Sequence, residues 1–346
     1  MRALCLTATG GPDHLALLDL PSPALTAPDQ VRIGIRAVAL NHLDLWVAEG
    51  LPAVPIATFP HVVAADGAGV VLEVGSAVTG LRVGDRVVIN PGISCGTCEA
   101  CTSGEEVFCR AFSLLGEHRP GTAAEEVVLP ARNVVPISGE WSWAEAAAFG
   151  LSSVTAWRML TTRARLAAGE TVLIWGIGGG VALQALQIAR HLGARVAVTS
   201  SSPGKRERAL ALGAELALDH GGDVEVPSAV KAHFGHGVDV VVDSVGAPTW
   251  SRSCRALRPG GRLVTCGATG GPEVALDLRR LFWFQWSLLG STMGTTREFA
   301  EIVELGNRGL LRPIIDQVFP LAAGGDAYRR LAEAAQFGKL VLEVTP

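Results

Sequence analysis

Two hydrophobic periods divide the chain. Up to about residue 150 the apolar positions alternate. Across residues 31–36 every second side chain is apolar, the pattern of a strand with one buried face. Residues 69–74, 85–89 and 127–129 are further short strand candidates, separated by glycine turns such as Val83-Gly84-Asp85. Many short strands joined by such turns predict a sandwich or a partly open barrel.

From about Ser152 the pattern changes to strands alternating with helices. Residues 171–175, 195–199, 216–218, 238–242 and 262–266 read as strands. Residues 181–192, 205–212, 229–234 and 250–257 carry helical spacing, the last stopped by Arg258-Pro259-Gly260-Gly261. This order implies a parallel sheet covered by helices on both faces. After about Phe284, residues 286–293 suggest a last strand, 296–305 a helix and 338–344 a final strand. These either extend the second sheet or return the chain to the first domain.

Composition narrows the class. At about 150 residues per domain, 346 residues suggest two domains. Hydrophobic residues at 49% against 18% charged exclude a disordered chain. Aromatics are sparse, with Tyr328 the single tyrosine, so the core is aliphatic. The net charge of −4, without a basic block, points away from nucleic acid and anionic lipid. The amino-terminal residues lack the layout of a secretion signal. Residues 171–189 are uncharged, close to the ~20 that span a bilayer, but their four glycines and two glutamines fit a buried strand, turn and helix better. These features predict a soluble cytoplasmic protein with no membrane partner.

Seven cysteines remain. Cys5, Cys254 and Cys266 are scattered and read as small core residues. Cys95, Cys98, Cys101 and Cys109 follow the spacing C-x2-C-x2-C-x7-C. Four thiolates so close wrap one tetrahedral zinc and leave no open coordination position, which makes the site structural. The alternatives are an iron–sulfur cluster or free thiols. The ferredoxin spacing C-x2-C-x2-C-x3-C-P differs from the one present.

Gly176, Gly178, Gly179 and Gly180, followed by Val181, stand between a buried strand and a helix, as in a dinucleotide-binding loop. Glycines let the backbone approach a pyrophosphate at a helix N-terminus. The third glycine of G-x-G-x-x-G is replaced by Val181, so the motif depends on its strand–helix context. An NAD site carries an acidic residue at the end of the second strand. Here that end carries Thr199, Ser200, Ser201 and Ser202, then Lys205 and Arg206. Hydroxyls and cations suit a 2′-phosphate, which favours NADP(H) over NAD(H).

These motifs, with Asn41-His42-Leu43-Asp44, Asp66-Gly67-Ala68-Gly69, Val83-Gly84-Asp85-Arg86-Val87 and Val241 to Gly246, resemble the medium-chain dehydrogenase/reductase superfamily of zinc alcohol dehydrogenases and quinone oxidoreductases. The resemblance implies an α/β fold with two domains. A GroES-like catalytic domain would span residues 1–150 and 285–346, with the zinc lobe at about 91–112. A Rossmann domain would span 151–284. It further implies that Thr155, Val245, Gly267, Ala268 and Thr292 lie near the nicotinamide, that His42 contacts cofactor phosphate, and that Lys339 approaches the cofactor unless it is merely an exposed lysine. Relatives form dimers or tetramers through the Rossmann sheet edge, which implies a homodimer or homotetramer here.

The departures from the family pattern are chemical. The Cys, His and Cys that hold catalytic zinc in alcohol dehydrogenases align with Asn41, Ala65 and Leu151, and the proton-relay hydroxyl aligns with Leu43. Such residues cannot supply three zinc ligands. The site resembles the zinc-independent quinone oxidoreductases, while the cysteine lobe resembles the alcohol dehydrogenases. The expectation is therefore one structural zinc per subunit and an NADP(H)-dependent reductase acting on a carbonyl, enone or quinone. Asn41 would donate to the acceptor oxygen, while Trp46, Phe59 and Trp157 line an apolar slot. Asp44 and Asp66 would orient neighbours or hold turns, and His61 completes the candidate catalytic set. The alternatives are a relocated zinc held by His42, His61 or His118 with Asp44 or Asp66, and a non-catalytic NADPH-binding protein.

Overall fold

The computed structural model describes residues 1–50, 56, 58–222 and 224–345. The chain divides into two units, Met1–Ser152 with Gly294–Pro346, and Ser153–Met293.

The first unit is built on a seven-stranded sheet. Its order is Val134–Pro136, Arg86–Ile89, Asp66–Val74, Gln30–Ala39, Lys339–Glu343 and Ile315–Pro320, with Glu126–Pro130 also pairing to Gln30–Ala39. The alternation predicted for residues 31–36 holds: Val31, Ile33 and Ile35 are at most 1% exposed and sit in the core with Leu6, Val87, Ile89 and Leu342. A three-stranded sheet of Leu15–Asp19, Arg2–Leu6 and His61–Val62 completes the β-structure of this unit together with the small pair Gly92–Ile93 and Ser113–Leu114. The carboxy-terminal strand returns here. Lys339–Glu343 pairs antiparallel with Gln30–Ala39 through Val341 and Ala39.

The second unit holds a six-stranded parallel sheet. Its order is Leu216–Leu218, Arg195–Thr199, Thr171–Ile174, Val238–Asp243, Leu257–Thr265 and Ser287–Gly290. The central strands are mostly apolar on both faces because both faces are covered, with Asp239 and Asp243 as buried exceptions in Val238–Asp243. Chain order reverses between Thr171–Ile174 and Val238–Asp243, so a crevice opens beyond their carboxyl ends, where α/β sheets bind ligands. The uncharged 171–189 segment is a strand, a loop and the helix Gly180–His191. Among the described residues no helix is long and apolar enough to cross a membrane.

Two expectations need correction. Residues 285–293, grouped above with the first domain, lie in the second unit, because Ser287–Gly290 pairs with Leu257–Thr265 at the sheet edge. Arg258 to Gly261, read as a break between helix and strand, lies inside the strand Leu257–Thr265. The register jumps there from Val238/Leu257 to Val240/Arg262, so the proline and glycines form an irregularity that the sheet absorbs. Of the three scattered cysteines, Cys5 and Cys254 are buried, whereas Cys266 is half-buried.

Candidate functional site

The first unit gathers a buried polar cluster around Asp66. Asn41 precedes the helix His42–Glu49, and its backbone N–H donates to Asp44 Oδ2 at 2.6 Å, so Asp44 covers the helix start. The Asn41 amide Nδ2 donates to Asp66 Oδ2 at 2.9 Å. Lys339 Nζ donates to Asn41 Oδ1 at 2.5 Å and to Asp66 Oδ2 at 3.2 Å. Asp66 Oδ1 accepts the Leu151 backbone N–H at 2.6 Å. The Thr122 hydroxyl holds the Asp66 carbonyl at 2.8 Å. Asp66 is fully buried, and Asn41, Asp44 and Lys339 are each at most 8% exposed.

Several of these residues were singled out from sequence, but their connections were not. Lys339 is neither exposed nor at the surface; its ammonium is engaged by two buried acceptors. Leu151 and Asn41, aligned with metal-ligand positions in relatives, take part through a backbone N–H and an amide. Ala65 is buried and has no donor atom to offer. Glu117 is only 8% exposed, and burial raises its carboxyl pKa. Burial also lifts Asp44 to about 7, with the Asn41 N–H and the Lys339 charge opposing the shift. Tyr328 lies fully buried in the same core with a hydroxyl that has no hydrogen-bond partner, and burial raises its pKa well above the ordinary value. No local pattern in the sequence marked Glu117 or Tyr328 as buried groups whose electrostatics reach Asp44.

The three histidines are dispersed. His61 is buried, its Nε2–H donates to the Gly116 carbonyl at 3.1 Å, and burial lowers its pKa. His118 Nδ1 accepts from the Leu114 N–H at 3.2 Å and lies 3.4 Å from Glu117. His42 is exposed, its ring edge-on to Trp46 at 5.0 Å. Among the described residues, no group of three metal-ligating side chains forms around them. Trp46 and Trp157 are half-buried, and Phe59 is exposed.

In the second unit the predicted nucleotide residues collect at the carboxyl ends of the parallel strands. Gly176 to Gly180 follow Thr171–Ile174, and Ser200 and Ser201 follow Arg195–Thr199. Val245 follows Val238–Asp243, Gly267 and Ala268 follow Leu257–Thr265, and Thr292 follows Ser287–Gly290. Thr155 is buried on the helix Leu151–Arg158. Gly176 has φ +70° and Gly178 φ +140°, conformations that side chains rarely adopt. A Cβ on Gly179 would meet nothing within 4 Å, so the loop borders open space. The helix Gly180–His191 begins without a side-chain cap, leaving backbone N–H groups for an anion. Val181 stands in its first turn. This combination fits the pyrophosphate of a dinucleotide.

Past the second strand, Ser202 caps the helix Pro203–Ala211 by accepting from the Lys205 N–H. Arg206 donates to the Ser200 carbonyl at 2.6 Å and pairs with Asp219 at 3.0 Å, so its charge is already balanced. The sequence reading missed His220. Its Nδ1 lies 2.9 Å from Thr199 Oγ1, the same hydroxyl that accepts the Gly176 N–H at 3.1 Å, and its ring lies 6.1 Å from that of Trp175.

The cysteine lobe is a third site. The sulfurs of Cys95, Cys98, Cys101 and Cys109 all lie within 4.8 Å of one another. Cys95 to Cys101 and Cys98 to Cys101 are 3.8 and 3.6 Å apart. Tetrahedral zinc with ~2.3 Å bonds separates its sulfurs by ~3.8 Å. Backbone N–H groups of Thr97 and Cys98 pull the Cys95 thiol down, while hydrogen bonding to the neighbouring sulfurs holds the Cys98 thiol up. The strands Gly92–Ile93 and Ser113–Leu114 pair at the base of the lobe. The donor set therefore fits a structural zinc.

Comparison with known proteins agrees with this description. The alcohol dehydrogenase GroES-like domain family matches residues 27–139, and the zinc-binding dehydrogenase family matches residues 180–308. A solved structure described as an NAD-dependent alcohol dehydrogenase is similar with a TM-score of 0.95 and 43% identity, over 100% of both chains. The NAD-dependent alcohol dehydrogenase of Sulfolobus acidocaldarius is 32% identical over 100% of both chains. The spectinabilin polyketide synthase system protein NorB of Streptomyces orinoci is 35% identical over 97% of this chain, which spans only 14% of that protein's length. Further relatives bear the names quinone oxidoreductase and acryloyl-coenzyme A reductase.

Proposed function

The chain belongs to the zinc-type alcohol dehydrogenase and quinone oxidoreductase family of medium-chain dehydrogenases/reductases, and on that premise we propose that it is an NADP(H)-dependent reductase that moves a hydride to a carbonyl-conjugated acceptor, an enone or quinone, without zinc at the reacting oxygen. The observation that carries this reading is the chemistry of the cluster around Asp66. Asn41 spends its amide on Asp66 and Lys339, Ala65 has no donor atom, and Leu151 contributes only a backbone N–H. Three zinc ligands cannot be drawn from that set.

The bound nucleotide would supply the hydride. The chain's own residues bind and orient. Gly176 to Gly180 and the uncapped helix start receive the pyrophosphate. Asn41 keeps one amide N–H beyond the one given to Asp66, and this N–H donates to the acceptor oxygen as charge builds on it. Conjugated acceptors need less polarisation than isolated ketones, so one well-held donor suffices.

Two further parts of the reading rest on local features. Serines and the Lys205 side chain, with no carboxylate on the second strand end, favour the 2′-phosphate of NADP(H), although two of the relatives compared above are named for NAD. Leu278, Phe282 and Trp283 are exposed at 65, 68 and 75% on the helix Leu278–Phe284, which leads into the edge strand Ser287–Gly290, and this supports a homo-oligomer formed there. Oxidation of NADPH and NADH against a panel of quinones, enones and aldehydes tests the whole. Turnover of conjugated acceptors with NADPH is expected; no turnover with any acceptor removes the enzymatic reading and leaves a nucleotide-binding protein.

A further inference from the structure

Lys339 is 4% exposed, and a buried ammonium is unfavourable unless its charge and its donors are matched. Asp66 matches the charge at 3.2 Å, and Asn41 Oδ1 takes a hydrogen bond at 2.5 Å. The backbone fixes where the lysine stands. Gly338 has φ +128°, and a Cβ there would lie 2.4 Å from the Ile314 carbonyl, so only glycine fits before Lys339. From Lys339 the strand continues into its pairing with Gln30–Ala39.

The consequence falls on Asn41. The two ends of an amide have nearly the same shape, so only its partners decide which way it points. Here the oxygen faces an ammonium and the nitrogen faces a carboxylate. Flipping the amide would set an N–H against Lys339 and an oxygen against Asp66, which is unfavourable at both ends. The grip also polarises the group: drawing on Oδ1 makes the remaining Nδ2–H a stronger donor. A simple ion pair between Lys339 and Asp66 would need no amide clamped between them.

We propose that Lys339 is a positioning residue for the reduction: together with Asp66 it fixes and polarises the Asn41 amide, so that the remaining Asn41 N–H is held ready for the acceptor oxygen. This rests on the reductase reading above and assigns the source of its electrostatic strength.

The test uses the intact chain and three variants, Lys339→Met, Lys339→Arg and the double variant Lys339→Met with Asp66→Asn. The single Met variant leaves Asp66 buried without its cation and is expected to melt early. The double variant removes both charges and is expected to regain much of the wild-type melting temperature. With the acceptor that the wild type reduces fastest, kcat is expected to fall about tenfold or more in both Met variants. KM for the nucleotide stays within about twofold of wild type. Lys339→Arg is expected to recover part of kcat, because a cation remains. A double variant that folds as wild type and keeps wild-type kcat overturns the proposal, and so does a Met variant in which nucleotide KM rises while kcat stays. A second readout does not depend on turnover: the side-chain amide signals of Asn41, followed by NMR with isotope-labelled asparagine. They are expected to be sharp and displaced in the wild type and averaged in the double variant. Unchanged signals would mean that Lys339 does not hold the amide. If the wild type reduces no acceptor, the reductase reading fails, while these signals still decide whether Lys339 grips Asn41.

Discussion

Asp66 Oδ1 accepts the backbone N–H of Leu151 at 2.6 Å, and this contact explains why residue 150 is glycine. A Cβ on Gly150 would lie 2.2 Å from the same oxygen. Leu151 opens the helix Leu151–Arg158, so its N–H has no partner within the helix, and a carboxylate is the favoured acceptor there. Gly150→Ala is therefore expected to cost about 1–3 kcal/mol, because the fully buried carboxylate has nowhere to retreat. Chemical denaturation measures it; a midpoint equal to wild type would mean that Asp66 moves aside freely.

The pH dependence of stability follows from Asp44. Burial raises its carboxyl to about 7 in the folded chain. In the unfolded chain the group titrates near its ordinary ~4. Between those values the folded state holds a proton that the unfolded state has released. The stability this provides is complete below pH ~4 and is lost as pH rises through ~7. Asp44→Asn keeps an acceptor for the Asn41 N–H and removes the titration. The melting temperature of the variant minus that of wild type is expected to climb between pH ~5 and ~8. A flat difference would show that Asp44 does not titrate in that window.

The parallel sheet was legible in sequence because its central strands carry buried apolar stretches such as Val240 to Val242, within a strand that is buried along its whole length although it includes Asp239 and Asp243. The alternation of residues 31–36 revealed a strand for the opposite reason, since only one face enters the core. Arg258 to Gly261 misled because proline and glycine are local signals of a break, whereas pairing with Val238–Asp243 is a nonlocal gain that outweighs them. Asn41 and Asp66 were recognisable as chemistry by their motifs. Their link to Lys339 was not, because it joins residues 273 positions apart and depends on the last strand returning beside Gln30–Ala39. His220 escaped notice for a similar reason: it meets Thr199 only when two neighbouring strand ends are brought side by side.

Nucleotide choice is testable at the end of the second strand. Arg206 is held by the Ser200 carbonyl and by Asp219, and Lys205 stands one residue before it on the same helix. If these cations receive a 2′-phosphate, the paired substitution Lys205→Ala with Arg206→Ala raises KM for NADPH about tenfold or more and changes KM for NADH little. Equal changes for both nucleotides would mean that the two residues serve only the helix. A wild type that prefers NADH would fit Asp219, which follows the neighbouring strand Leu216–Leu218 and pairs with Arg206, as the dominant charge there.

Zinc removal separates architecture from chemistry. The four sulfurs are spaced for one metal. Metal analysis is expected to return one zinc per chain, and Cys98→Ser, which removes a ligand, is expected to lower the melting temperature and the zinc content together. Glu106 accepts from the Thr296 hydroxyl at 2.5 Å, so loosening the lobe also reaches the start of the helix Thr296–Asn307. The fraction of Cys98→Ser that remains folded should nevertheless reduce the acceptor at close to the wild-type rate, because no cysteine of the lobe takes part in the Asp66 cluster. Two zincs per chain, or a folded Cys98→Ser that has lost turnover, would place metal in the chemistry after all.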